Sequence, residues 1–240
     1  MSLTVNAVVE YNDDGYLIYS SNFIGAYVRG KSQSQALAKF GDEIRQYIRW
    51  AQGVELSPSE QINIQVVQEK VSDLQICDAD SDVLFDCERP PLDPGEYRIQ
   101  KALVLKSAVD FKVLYDSIPD KNRTGLLPRQ TFYGDVPRTA EEMYVHTNQV
   151  TDYYLAEIGV TVKNQADIAE SRIQAFQDVE RTPDFLCNTV YDGSYHEQWS
   201  LRKVLRRFIW HDRIHARAMW RMATHIWDTA MIENPFYFQK

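Results

Sequence analysis

Two histidines, His211 and His215, stand four residues apart in the run Trp199-Ser200-Leu201 to Arg217, and no other residues in this 240-residue chain are spaced so suggestively for chemistry. On a helix that spacing stacks the imidazoles one above the other on a single face. Adjacent turns then present two nitrogens within ~4 Å, which suits Zn²⁺ or a similar ion taking ~2.0–2.1 Å nitrogen bonds. At ~100° per residue, Val204, Phe208, Ala218 and Met222 share the face of the pair, while Arg202, Arg206, Arg213 and Arg217 fall on the far side. The histidines therefore read as part of a buried stripe and the arginines as part of a solvated one. Buried imidazoles repel if protonated; if neutral, each leaves a lone pair seeking a donor or a metal. An isolated HxxxH is also compatible with two satisfied core histidines.

A metal needs a third ligand from another helix, and His146 is the candidate, because Met143, Val150 and Tyr153 lie on nearly the same face of its own helix. Glu142, one turn earlier, could orient that imidazole as a hydrogen-bond acceptor or simply cap the helix. Arg207, one turn before His211, reads either as a snorkelled edge arginine or as a clamp for a substrate carboxylate. Tyr144, Tyr153 and Tyr154 are near enough in sequence to reach a site, although core packing accounts for them as well. His196 sits in a turn-rich approach and reads as exposed. His225 lies more than two turns beyond His215, too far along the axis to share one ion at ~1.5 Å per residue.

The elements that must position these residues fall into two units. Leu3–Val9 and Tyr16–Tyr19 flank the turn Asn12-Asp13-Asp14-Gly15 and predict a hairpin. Phe23–Val28 reads as a third strand ending at Gly30. Ser32 or Ser34 then caps a helix carrying Ala36, Phe40, Ile44, Tyr47 and Ile48, which Gly53 ends, and Ile62–Val67 alternates as a fourth strand. This gives β-β-β-α-β over residues 1–72. Residues 73–95 are acidic and contain Pro90, Pro91 and Pro94, and they read as a connection with a short strand at Val83–Phe85. A calcium loop beginning at Asp78 fails, since Val83 and Arg89 occupy the positions that need Gly and Glu. Over 96–240 helical periodicity dominates, predicting helices near 97–118, 140–159, 165–179 and 200–229. The second opens on the capping box Thr139-Ala140-Glu141-Glu142. The fold class is α+β: a small sheet unit followed by a four-helix bundle.

Composition bounds the rest. Hydrophobic residues at 44% can build a real core, and a net charge of −8 argues against nonspecific nucleic-acid binding. The seven cations between Arg202 and Arg221 are expected to pair with the acidic connection or with water. Cys77, Cys87 and Cys187 form no CxxC pair, which fits a reducing compartment. Without a basic n-region or a run of ~18 apolar residues, the expectation is a soluble, cytoplasmic protein with no membrane contact.

Two resemblances sharpen these expectations. The stretch YNDDGYLIYSSNFIGAYVRGKSQSQALAKFGDEIRQYI resembles the HicB-type antitoxin domain, with Phe23-Ile24-Gly25 where that family has a proline-glycine element. It implies a module that binds a protein partner or forms a homodimer. The segment EQWSLRKVLRRFIWHDRIHARAMWR resembles the last core helix of the DinB-like (YfiT-like) metalloenzyme superfamily, and TAEEMYVHTNQVTDYYLAEIG resembles its second helix. Carried over, the resemblance assigns the three metal ligands to His146, His211 and His215. Here Ala216 and Arg217 follow His215, where common members have Arg-Gly. It further implies a divalent ion (Zn²⁺ or Ni²⁺) and metal-dependent transfer of a small-molecule thiol to an electrophilic substrate, with hydrolysis a weaker expectation. The alternative is a non-catalytic, metal-stabilised regulatory protein that uses the HicB-like unit for binding. Glu142, Arg207 and Tyr153 remain the candidates for second-layer or substrate-binding roles.

Overall fold

The computed structural model describes residues 2–131 and 133–239. Its first part is a four-stranded sheet in the order β3-β2-β1-β4, formed by β1 (Ser2–Asn12), β2 (Gly15–Ser20), β3 (Tyr27–Gly30) and β4 (Gln61–Val71). The β1–β2 and β2–β3 pairs are antiparallel. β4 runs parallel to β1, and the crossover between them carries α1 (Gln33–Gln52). The expected hairpin is present, with Asn12 opposite Gly15. Ser32 caps α1 by accepting from Gln35 N, and Gly53, at φ +68°, ends it.

The third strand starts later than Phe23. Residues 21–26 instead form a tight bend in which Ala26 N donates to Phe23 O and Gly25 takes φ +88°. The bend presses on the far helix: a Cβ on Gly25 would lie 2.4 Å from Ile209 Cγ2 and 3.1 Å from Trp210 N. Here only glycine supplies both the dihedral and the clearance.

Strand alternation sends Ala7, Val9, Ile18 and Val28 into the core shared with α1. Val8, Leu17, Tyr19 and Tyr27 point the other way, against Ile76, Val83, Phe85 and Trp210. Residues 73–95 thus do more than connect. They contain two single helical turns, Ile76–Asp78 and Asp86–Glu88, and no strand at Val83–Phe85. Ile76, Ser81, Val83, Phe85, Glu88 and Leu92 are all buried, because this segment covers the second face of the sheet.

Four further helices follow: α2 (Pro94–Ser117), α3 (Ala140–Ala156), α4 (Ile168–Arg181) and α5 (Leu201–Ile226). Both α2 and α3 pack against α4 and α5, giving the cyclic order α2-α4-α3-α5. The molecule is therefore mixed α+β, a small sheet with five helices. One apolar cluster runs from the sheet through α1 into these helices. Among the described residues, no helix is long and apolar enough to cross a membrane.

α5 is the axis of the molecule, and the arginines placed on its solvated side are not solvated. Arg206 and Arg213 are 1% and 0% exposed. Arg213 donates to Glu43 of α1 at 2.7 Å, and Arg217 pairs with the same carboxylate. Arg206 holds Glu88 and donates to Val83 O, while Arg202 reaches Glu96. That side of α5 faces α1, the sheet, the 73–95 segment and the start of α2, and each cation meets a carboxylate there. The expected pairing with the acidic connection thus holds for Arg206, but inside the protein.

Candidate metal centre

The two ligand-bearing helices are fixed at their starts. Ser200 caps α5 by accepting from Lys203 N and donating to Glu88 O. Thr139 and Glu142 form the expected capping box on α3, with Thr139 Oγ1 accepting from Glu142 N and Glu142 Oε2 accepting from Thr139 N. α3 and α5 lie side by side, so residues 65 positions apart in sequence meet.

His146, His211 and His215 come together. Their ring centres are 4.4 Å apart for 211–215, 4.7 Å for 146–215 and 5.0 Å for 146–211. One nitrogen from each falls within 4.8 Å of the others, near the ~4 Å span across an ion taking ~2.0–2.1 Å nitrogen bonds. Among the described residues no fourth His, Cys, Asp or Glu joins the cluster.

The electrostatics favour neutral rings. Burial holds His211 well below the ordinary imidazole range, and His215, His146, Arg172 and Arg207 add to the effect. Burial and then His146 lower His215 to about 3. Burial alone lowers His146. His211 Nδ1 is buried with no hydrogen-bond partner. Three uncharged rings with their nitrogens converging, one of them orphaned, form a donor set that a divalent ion fits.

Around this cluster, Tyr154 and Trp210 flank His211 with ring centres 6.0 and 6.3 Å away. Tyr133 lies nearly parallel to His146 at 6.3 Å. His146 also lines an open groove of about 530 Å³, bounded by Arg129, Val136, Arg138, Val145 and Gln149. Nothing in the spacing of Tyr133 marked it out, because it comes from a loop whose path only packing sets.

The remaining sequence candidates are placed as follows. Glu142 spends Oε2 on Arg138 N and Thr139 N, so its carboxylate caps the helix and makes no hydrogen bond to His146. Arg207 is buried rather than snorkelled at an edge. It donates to Ser81 O at 2.8 Å and to Glu197 at 3.2 Å, and its guanidinium lies 4.8 Å from the Trp210 ring centre. Tyr153 is partly exposed and packs against Trp199 and Tyr154, away from the three rings. Tyr144 is buried and accepts from Ile168 N, a packing role. His196 is exposed, as read from sequence, and His225 is exposed near the end of α5, outside the cluster. No family model matches the chain, and no curated protein or solved structure matches it either.

Sequence reasoning missed one ionic pair beside the cluster. Arg172 of α4 donates to Asp212 at 3.0 Å, and both side chains are fully buried. Burial pushes the Asp212 carboxyl up to about 6, against the pull of Arg172. The available signal was Arg172 itself, a cation on the apolar stripe of α4 between Ile168 and Phe176.

Proposed function

We propose that the chain is a metal-dependent enzyme of the DinB-like type, with one divalent ion held by His146, His211 and His215 and thiol transfer as its chemistry. The observation that carries this reading is a cluster of three neutral imidazoles joined, among the described residues, by no fourth protein ligand, with one of the three opening onto a groove. Structural zinc sites close all four positions with protein, whereas catalytic ones keep a position for water or substrate. A divalent ion bound there supplies Lewis acidity, which lowers the pKa of a thiol or of water and so makes it nucleophilic at neutral pH. The chain's own contribution is to hold three rings deprotonated, to shield His211 between Tyr154 and Trp210, and to present His146 to solvent through the groove. The resemblance of α3 and α5 to DinB-like helices supports the same reading.

The test is elemental analysis of tag-free protein, followed by Co²⁺ substitution and titration with cysteine or glutathione. One ion per chain is expected, lost in His211→Ala and His215→Ala, together with a sulfur-to-cobalt charge-transfer band on adding thiol. Full occupancy in His211→Ala would overturn the site. A cobalt spectrum indifferent to every thiol would overturn the chemistry.

A further inference from the structure

The helical core holds a polar layer that the metal reading does not use. Ser107 of α2, Thr147 and Thr151 of α3, Arg172 of α4 and Asp212 of α5 are all 0% exposed, and all four helices contribute. Six of their atoms lack any hydrogen-bond partner: Ser107 Oγ, Thr147 Oγ1, Thr151 Oγ1, Arg172 Nε and Nη1, and Asp212 Oδ2. Inside the layer Arg172 Nη2 donates to Asp212 Oδ1 at 3.0 Å.

Contacts chain these residues together through the core. Arg172 stacks on Phe208 with its guanidinium 3.6 Å from the ring centre, and Phe208 packs on Tyr154, one turn from Thr151. Thr147 follows His146, whose ring meets that of His211, the neighbour of Asp212. Ser107 lies beside Asp212 and lowers its pKa through the hydroxyl it directs at the carboxylate, without the close geometry of a full hydrogen bond.

Serine and threonine in a helix can satisfy themselves on the carbonyl one turn back, as Thr224 does on Trp220 O. Ser107, Thr147 and Thr151 do not, so their hydroxyls remain directed into the core. Buried polar groups in folded proteins are almost always paired, with water where protein is lacking. Arg172 and Asp212 balance each other's charge, so the layer offers no net attraction to an ion and suits a neutral, two-way hydrogen-bonding ligand.

We propose that this layer is an internal hydration site, a cluster of ordered waters bridging Ser107, Thr147, Thr151, Arg172 and Asp212 beside the histidine cluster. The waters themselves do not depend on a metal.

The test uses chelator-treated full-length protein, so its outcome is independent of the metal reading. A high-resolution crystal structure is expected to show at least two waters in the layer, each touching two or more of the named side chains. Water-proton relaxation dispersion should report the same long-lived internal waters in solution. The double variant T147V/T151V keeps the shape but removes two water ligands, and it should lower the urea midpoint because Arg172 and Asp212 lose their bridges. A dry layer in the crystal, with the hydroxyls turned back onto their own helices, would overturn the proposal. So would an unchanged or raised midpoint, the result expected when orphaned hydroxyls are removed from a dry core. If the variant does not fold, the crystal and relaxation measurements on the wild-type chain decide.

Discussion

Glu10 gives the sharpest thermodynamic test of the packing between the sheet and the 73–95 segment. Its side chain is fully buried on β1, where it accepts from Ser81 Oγ at 2.5 Å and from Asp82 N at 3.2 Å. Burial raises its pKa from the ordinary 4.5 to about 7; Ser81 opposes the rise and Asp82 adds to it. The folded protein therefore keeps the proton where the unfolded chain has released it. Stability from the neutral acid is fully present below pH 4.5 and is lost as the pH rises through 7. The gap between 4.5 and about 7 corresponds to roughly 3 kcal/mol. Glu10→Gln removes the charge and keeps an acceptor for Ser81. Urea unfolding of both proteins below pH 4.5 and above pH 7 should show the variant gaining roughly 3 kcal/mol on wild type between the two conditions. His211, His215 and Asp212 also titrate differently in the two states, but they are common to both proteins and cancel in the difference. A stability gap that stays the same at both pH values would refute the argument that Glu10 is buried and charge-averse.

Glu43→Gln leaves the buried guanidinium of Arg213 and that of Arg217 without a counter-charge, and equilibrium unfolding should show a loss of about 3–5 kcal/mol. Burial raises the Glu43 pKa, but Arg217 and Arg213 outweigh it, so the stability this carboxylate contributes is present above its ordinary pKa and fades in acid. Gly25→Ala should cost roughly 1–3 kcal/mol from its positive φ alone. The Ile209 contact adds to that, so the urea midpoint should fall while metal stoichiometry is retained.

The legible part of the fold was the part encoded locally. Caps at Ser32, Thr139 and Ser200 and apolar spacing placed α1, α3 and α5 to within a few residues. Strand 3 starts later than its residue types suggest: Phe23 and Ile24 have strand propensity, but Gly25 and the bond from Ala26 N to Phe23 O bend the chain there. Two acids could have signalled their burial. Glu43 lies on the apolar stripe of α1 between Phe40 and Tyr47, and Glu10 shares with Val8 the face of β1 that the 73–95 segment covers.

By itself the sequence determined that His211 and His215 share one helical face, since helix pitch alone sets that relation. Tertiary structure decided whether His146 meets them, because only the packing of α3 on α5 brings its ring within 5.0 Å of theirs. It also decided which charges are buried. A lone arginine looks solvated in sequence, and the carboxylate that allows Arg213 to leave water is Glu43, 170 residues away. Pairing of that kind is a property of the folded chain, because burying a charge is tolerable only when a distant partner arrives with it.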